Sequence, residues 1–111
     1  MSTTEIGRAA EARVADFLLA QGYTIFARNW RTRYCEIDIV AGRERVIYFI
    51  EVKSRKSDKF GGGMDYITFK KLKQMAFAAR IFVSCHNWSG PYRLAAAGVT
   101  AGKIVFIDNI S

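Results

Sequence analysis

The chain is poor in the residues that tie small proteins together by other means. Two cysteines, Cys35 and Cys85, stand far apart and form no Cys-x-x-Cys pair, and His86 is the single histidine. That leaves too few soft ligands for a structural zinc site, and it reads as two free thiols in a reducing compartment. One proline in a chain that is half apolar is a globular composition rather than a disordered one. No apolar run is long enough to span a bilayer, and the start carries no signal-peptide pattern, so the expectation is a cytoplasmic protein without membrane attachment. Acidic residues are also in short supply: 10 against 17 lysines and arginines, a formal net charge of +7 in 111 residues. That length suggests one domain, residues 1–111. The excess charge fits a polyanionic partner, with nucleic acid the commonest, or simply a soluble basic protein.

What is present follows two periodicities. From about Thr4 to Gln21, Ala10, Val14, Phe17 and Leu18 fall on one helical stripe, with Thr3 or Thr4 available as a cap and Gly22 suited to the end. Glu11 lies at the edge of that stripe, either as a solvated helix glutamate or turned toward a site; Gly7, one turn earlier, leaves room above it for a strand or ligand to approach. Tyr23 to about Trp30 reads as a first strand. A second helix, Tyr66 to about Cys85, buries Leu72, Met75, Ala76, Ala79, Phe82 and Val83, turns Lys70 and Lys73 outward and holds Lys71 at the border of the stripe. Two short strands follow, Pro91 to Val99 and Lys103 to Ile107, around Ala101-Gly102. The order is helix, three strands, helix, then a strand or hairpin, which makes a sheet with helices packed on it.

Between the helices lies the stretch that carries chemistry, Cys35 to Arg55. It reads as two strands joined around Gly42-Arg43-Glu44-Arg45, and a hairpin connection makes them antiparallel neighbours. Residues two apart on a strand share a face, so Glu36 sides with Asp38 and Glu51 with Lys53. If Asp38 and Glu51 oppose one another, their carboxylates lie within about 5 Å. At an effective dielectric of about 20, like charges ~4 Å apart repel by roughly 4 kcal/mol. Glu36, and Glu11 if it turns inward, add to this, and Lys53 alone does not balance the set. Either a carboxyl keeps its proton at neutral pH or a divalent cation joins the group; oxygen ligands of this kind suit Mg²⁺ or Mn²⁺. Such an ion would also reverse the local charge and let a phosphodiester approach, with Lys53 stabilising developing charge or orienting water. Buried structural ion pairs are the competing reading of the same pattern.

The cations fall in two places. Arg28, Arg31 and Arg33 cluster beside Trp30 and Tyr34, as suits phosphate contact and base stacking, or else a hairpin rim with a half-buried tryptophan. Arg55, Lys56 and Lys59 lead into the glycines at 61–63, a loop that either wraps a phosphate backbone or is a solvated linker.

Gly7-x-x-x-Glu11, Gly22-Tyr23, Arg28-Asn29, Glu36-Ile37-Asp38 and Phe49-Ile50-Glu51-Val52-Lys53-Ser54-Arg55, with Ile67-Thr68, Lys71 and Ala79, resemble the YraN family, itself uncharacterised in function. The match runs to about residue 83. That family is similar to the restriction-endonuclease-like PD-(D/E)xK superfamily and, within it, to Holliday-junction resolvases. The resemblance implies an α/β fold with a restriction-endonuclease-like core: helix, three strands, helix, strand, with a mixed central sheet flanked by helices. It implies a Mg²⁺ or Mn²⁺ ion held by Asp38, Glu51 and the backbone carbonyl of Val52, a catalytic Lys53, and Glu11 completing the acidic site with Glu36 in support. It also implies a DNA endonuclease, acting on branched or structured DNA, and a homodimer. Arg28, Arg31, Arg33, Arg55, Lys56, Lys59 and Lys71 would then face nucleic acid. The alternative is a nucleic-acid-binding module without catalysis. Two positions depart from the family pattern: Cys35 replaces a glycine, and Arg93-Leu94-Ala95 lacks the usual carboxylate.

Overall fold

The computed structural model describes residues 3–55 and 67–110. Lys56, Lys59, the glycines at 61–63 and the expected helix start at Tyr66 lie outside the described residues, and Arg55 is described by its backbone alone. The elements are α1 (Thr3–Ala20), β1 (Thr24–Arg31), β2 (Glu36–Arg43), β3 (Val46–Arg55), α2 (Phe69–Cys85), β4 (Tyr92–Thr100) and β5 (Lys103–Ile107). The strands form one five-stranded sheet in the order β1-β2-β3-β4-β5. Only β3 and β4 run parallel, across the α2 crossover; the other neighbours are antiparallel. The expected element order and mixed sheet are thus borne out. Among the described residues no helix is long and apolar enough to cross a membrane.

α1 covers one face of the sheet. Its Ala10, Val14, Ala15 and Leu18 pack with Ile39, Ile50, Ala95 and Ala97. α2 covers the other face, where Met75, Ala78, Ala79 and Phe82 meet Val40, Phe49, Leu94 and Ala96. Six consecutive residues of β4, Leu94 to Val99, are buried, as a strand covered on both faces requires. Each fully buried Leu, Ile or Phe in these layers contributes about 1.5–3 kcal/mol by leaving water. Ala95 sits inside the α1 layer beside Ile50, fully buried. The position where the family pattern has a carboxylate is therefore apolar packing in this chain.

The ends of the elements have local causes. Gly22, at φ +91°, closes α1: its amide donates to Leu19 O and the Tyr23 amide to Leu18 O, the paired bonds of a Schellman turn. Thr68 caps α2 by accepting the Lys71 amide at 3.0 Å. The β2–β3 connection is tighter than Gly42-Arg43-Glu44-Arg45. Arg43 still pairs with Val46, and the two-residue turn is Glu44-Arg45, both at positive φ as a type I′ hairpin demands. Cys35, by contrast, is not among the residues with positive φ, so the glycine of the family pattern is not needed for backbone reasons here.

β1 carries two irregularities. The register slips between Ile25 and Ala27, a bulge at Phe26. Asn29 has φ 51°. Ala27 and Trp30 both join the α2-side layer, although strict alternation places residues three apart on opposite faces. The left-handed Asn29 between them supplies the extra turn of the chain.

Candidate metal-binding and nucleic-acid site

Pairing between β2 and β3 extends to Ile39 and Ile50 and stops there. Continued by one step, the same register sets Asp38 opposite Glu51, at the point where the strands part. The Val52 amide there donates across the gap to Asp38 Oδ2 at 2.8 Å, replacing a ladder bond by a side-chain one. Asp38 and Glu51 are also close enough to share a hydrogen bond between their carboxyls. Burial, and after it the charge of Glu51, pushes the Asp38 carboxyl from its ordinary 3.8 up to about 7, against the pull of the Val52 amide.

Glu51 is the one buried charged side chain among the described residues. It is paired twice. Lys53 Nζ and Lys71 Nζ both lie 3.3 Å from Glu51 Oε2. Lys53 arrives from the same strand two residues on, and Lys71 descends from the first turn of α2. This alters the charge balance expected from the sequence, which counted Lys53 alone. Two ammonium groups meet Glu51, and burial beside that carboxylate raises the Asp38 pKa, so both effects lessen the repulsion within the pair.

Two further acids, Glu36 and Glu11, line one cavity with Asp38. Glu36 is exposed, with Arg31 Nη2 3.8 Å from its Oε2. Glu11, on α1, hydrogen-bonds Asn29 through its side chain, yet Oε1 is buried with no hydrogen-bond partner among the described residues. Burial raises its pKa, opposed by the Asn29 bond and the Arg28 charge and reinforced by Glu36 and Glu51. Glu11, Gly7, Asn29, Arg31, Glu36 and Asp38 line a cavity of about 350 Å³. A Cβ on Gly7 would meet nothing within 4 Å, so the room above Glu11 is open space rather than a seat for a strand. The left-handed Asn29 that orients Glu11 had a signal in the sequence, since asparagine tolerates that conformation better than most residues, but nothing local marked it as a partner of α1.

Among the described residues no group of three or more His, Cys, Asp and Glu side chains is gathered to hold a metal ion. The donor set is two adjoining carboxylates, Asp38 and Glu51, with Val52 beside them. That set fits Mg²⁺, which is commonly held by one or two carboxylates and completed by water and phosphate oxygens.

Of the expected nucleic-acid residues, Arg28, Arg31 and Arg33 are exposed, and the Arg33 guanidinium lies 5.7 Å from the Tyr34 ring centre. Trp30 is half-buried, its ring packed edge-on against Phe82, 5.3 Å between centres. A groove of about 730 Å³ opens between the β1–β2 connection and α2, with Arg31, Tyr34, Lys70, Lys71 and Lys73 in its walls. Lys71 therefore belongs to both places, lining the groove and touching Glu51.

The sequence model of Uncharacterised protein family UPF0102 matches residues 10–105. A UPF0102 protein of Sulfurihydrogenibium sp. is 33% identical over 110 residues, covering 98% of this chain and 96% of its own length. Another, from Hahella chejuensis, is 43% identical over 83 residues, 75% of this chain and 67% of that protein. Among solved structures, Hjc of Archaeoglobus fulgidus, a Holliday junction resolvase from an archaeal hyperthermophile, superposes with a TM-score of 0.59 at 22% identity, over 87% of this chain and 74% of that one. The likeness bears out the restriction-endonuclease-like fold.

Proposed function

We propose that this chain, which belongs to the Uncharacterised protein family UPF0102, is a metal-dependent endonuclease that hydrolyses phosphodiester bonds in DNA, with branched or structured DNA as its substrate. The observation that carries the reading is the Asp38–Glu51 pair at the parting of β2 and β3, with Lys53 Nζ 3.3 Å from Glu51 Oε2. Asp38, Glu51 and the Val52 carbonyl would hold Mg²⁺ or Mn²⁺. Bound there, the ion supplies Lewis-acid polarisation of a phosphoryl oxygen and a more acidic water. Asp38 must give up its proton to act as a ligand, so its elevated pKa makes the site responsive near neutrality. Lys53 is placed to stabilise charge on the phosphate, and Lys71 can hold Glu51 in position when Lys53 turns to the substrate. Glu11 lines the cavity that Asp38 also lines, where its carboxyl can orient a water. That the A. fulgidus fold relative is a Holliday junction resolvase supports branched DNA as the first substrate to try. A symmetric dimer would bring two such sites to one junction.

The test is incubation of the protein with linear, nicked and four-way-junction DNA, with and without Mn²⁺, beside Asp38→Ala and Lys53→Ala. Metal-dependent cuts lost in both variants support the reading; cuts that persist in both place the activity elsewhere. One observation favours a second reading, a nucleic-acid-binding module without catalysis: Glu51 is already paired with two lysines, and among the described residues no third acid is gathered with the pair. In that case Asp38→Ala leaves DNA binding intact or tightens it, and no cleavage is seen with any metal.

A further inference from the structure

The groove between the β1–β2 connection and α2 has a composition that the metal site does not explain. Lys70, Lys73, Gln74 and Phe77 stand at i, i+3, i+4 and i+7 of α2 and so form one helical stripe along its wall. Across from them are Arg31 and Tyr34. Tyr34 is 77% exposed and Phe77 40%, an arrangement that leaves aromatic faces in water with a cation beside each wall. At about 730 Å³ the groove is within the range of about 300–1,000 Å³ that accommodates compact organic ligands. A duplex keeps its bases stacked on one another and offers mainly phosphates, for which lysines alone suffice. Exposed aromatic rings gain only from bases that have left the stack, and an amide such as Gln74 can then bond a base edge. Among the described residues Glu36 is the single acid in the lining, and Arg31 lies 3.8 Å from it.

We infer that this groove binds an unpaired nucleic-acid strand, its phosphates on Lys70, Lys73 and Arg31 and its bases on Tyr34 and Phe77. The groove meets the carboxylate pair through Lys71, so a strand lying in it is delivered to Asp38 and Glu51. The inference deepens the nuclease reading and rests on it for the fate of the strand, but not for the binding itself. It specifies the substrate as one with unpaired nucleotides beside the bond to be cut.

The experiment measures fluorescence anisotropy of labelled single-stranded DNA, single-stranded RNA and duplex DNA of equal phosphate number, in EDTA so that binding is read apart from cleavage. The expected result is tighter binding of single strands than of duplex. Tyr34→Ala and Phe77→Ala each weaken single-strand binding about 5- to 150-fold with an unchanged salt slope. Tyr34→Phe and Phe77→Tyr retain it, which separates stacking from loss of fold. Lys70→Ala and Lys73→Ala each lower the salt slope by about 0.7. Equal or tighter RNA binding supports the groove and sets the sugar preference. Duplex preferred over single strand, or alanine variants that bind like the parent, overturns the inference. Single-strand binding in EDTA that is followed by no cleavage once excess Mn²⁺ is supplied would sink the nuclease reading and leave this one standing. Duplex cleavage that is indifferent to Tyr34 and Phe77 would do the reverse.

Discussion

Lys71 Nζ, from the first turn of α2, lies 3.3 Å from Oε2 of Glu51 on the central strand β3. This contact joins a helix to a strand across the part of the chain outside the described residues, and Lys53 reaches the same oxygen at the same distance. The buried carboxylate therefore has two ammonium partners that arrive independently.

The double pairing predicts redundancy. Lys53→Met and Lys71→Met should each cost about 1 kcal/mol, because each leaves one cation on Glu51. Both together should cost about 3 kcal/mol, more than their sum, because the carboxylate is then buried without a partner. Urea unfolding of the two single variants and the double variant gives the cycle. Simple additivity would show that the lysines do not share Glu51.

Asp38 predicts a pH dependence of stability with a definite sign. Its folded pKa of about 7 exceeds the ordinary 3.8, so between those values the folded chain keeps a proton that the unfolded chain has released. Stability is then greatest below that window, falls as pH rises through it and levels off above about pH 7. Asp38→Asn keeps an acceptor for the Val52 amide and removes the titration. At pH 8 it should be more stable than the parent by about 1–3 kcal/mol, with the advantage gone by pH 4. Denaturation midpoints across pH read this directly.

The same proton predicts how metal binding responds to pH. Mn²⁺ must displace it, so calorimetry below pH 7 should show affinity rising up to about tenfold per pH unit and close to one proton released per ion bound. Above about pH 8 both effects should vanish. Asp38→Asn should bind weakly at every pH and release no proton.

Gly7 predicts a stabilising substitution. It lies inside α1 with an ordinary backbone conformation, and a Cβ there meets no atom within 4 Å. Gly7→Ala should raise stability by about 1 kcal/mol through helix propensity alone, some 4–8 °C in thermal midpoint for a domain of this size. A loss of stability would mean that the helix needs the glycine for packing.

Local periodicity made most of the fold legible. The helical stripe of Val14 and Leu18, the alternation of Ile47, Phe49 and Glu51, and the break between the last two strands at Ala101-Gly102 each follow from neighbours in sequence. So does the shared face of Glu51 and Lys53. The pairing of Asp38 with Glu51 needed one further step, the assumption that the hairpin is in register, and the two-residue turn at Glu44-Arg45 supplies that register. What stayed hidden depended on contacts between distant elements. Lys71 could be placed at the border of a buried stripe but not on Glu51, because that requires knowing where the crossover helix lands on β3. Trp30 stayed open between base stacking and a half-buried rim, because alternation gives no hint that Asn29 takes a left-handed conformation or that the indole meets Phe82. Glu11 looked like a helix-surface glutamate until α1 was docked over the parting strands.

The most direct measurement is the yield of cut strand from a labelled four-way junction incubated with Mn²⁺, comparing the parent with Asp38→Asn at equal junction occupancy. The geometry of Asp38, Glu51 and Lys53 predicts product from the parent only when metal is present, and none from the variant although it still binds. Product formed equally by both proteins, or by neither at any metal concentration, would contradict it.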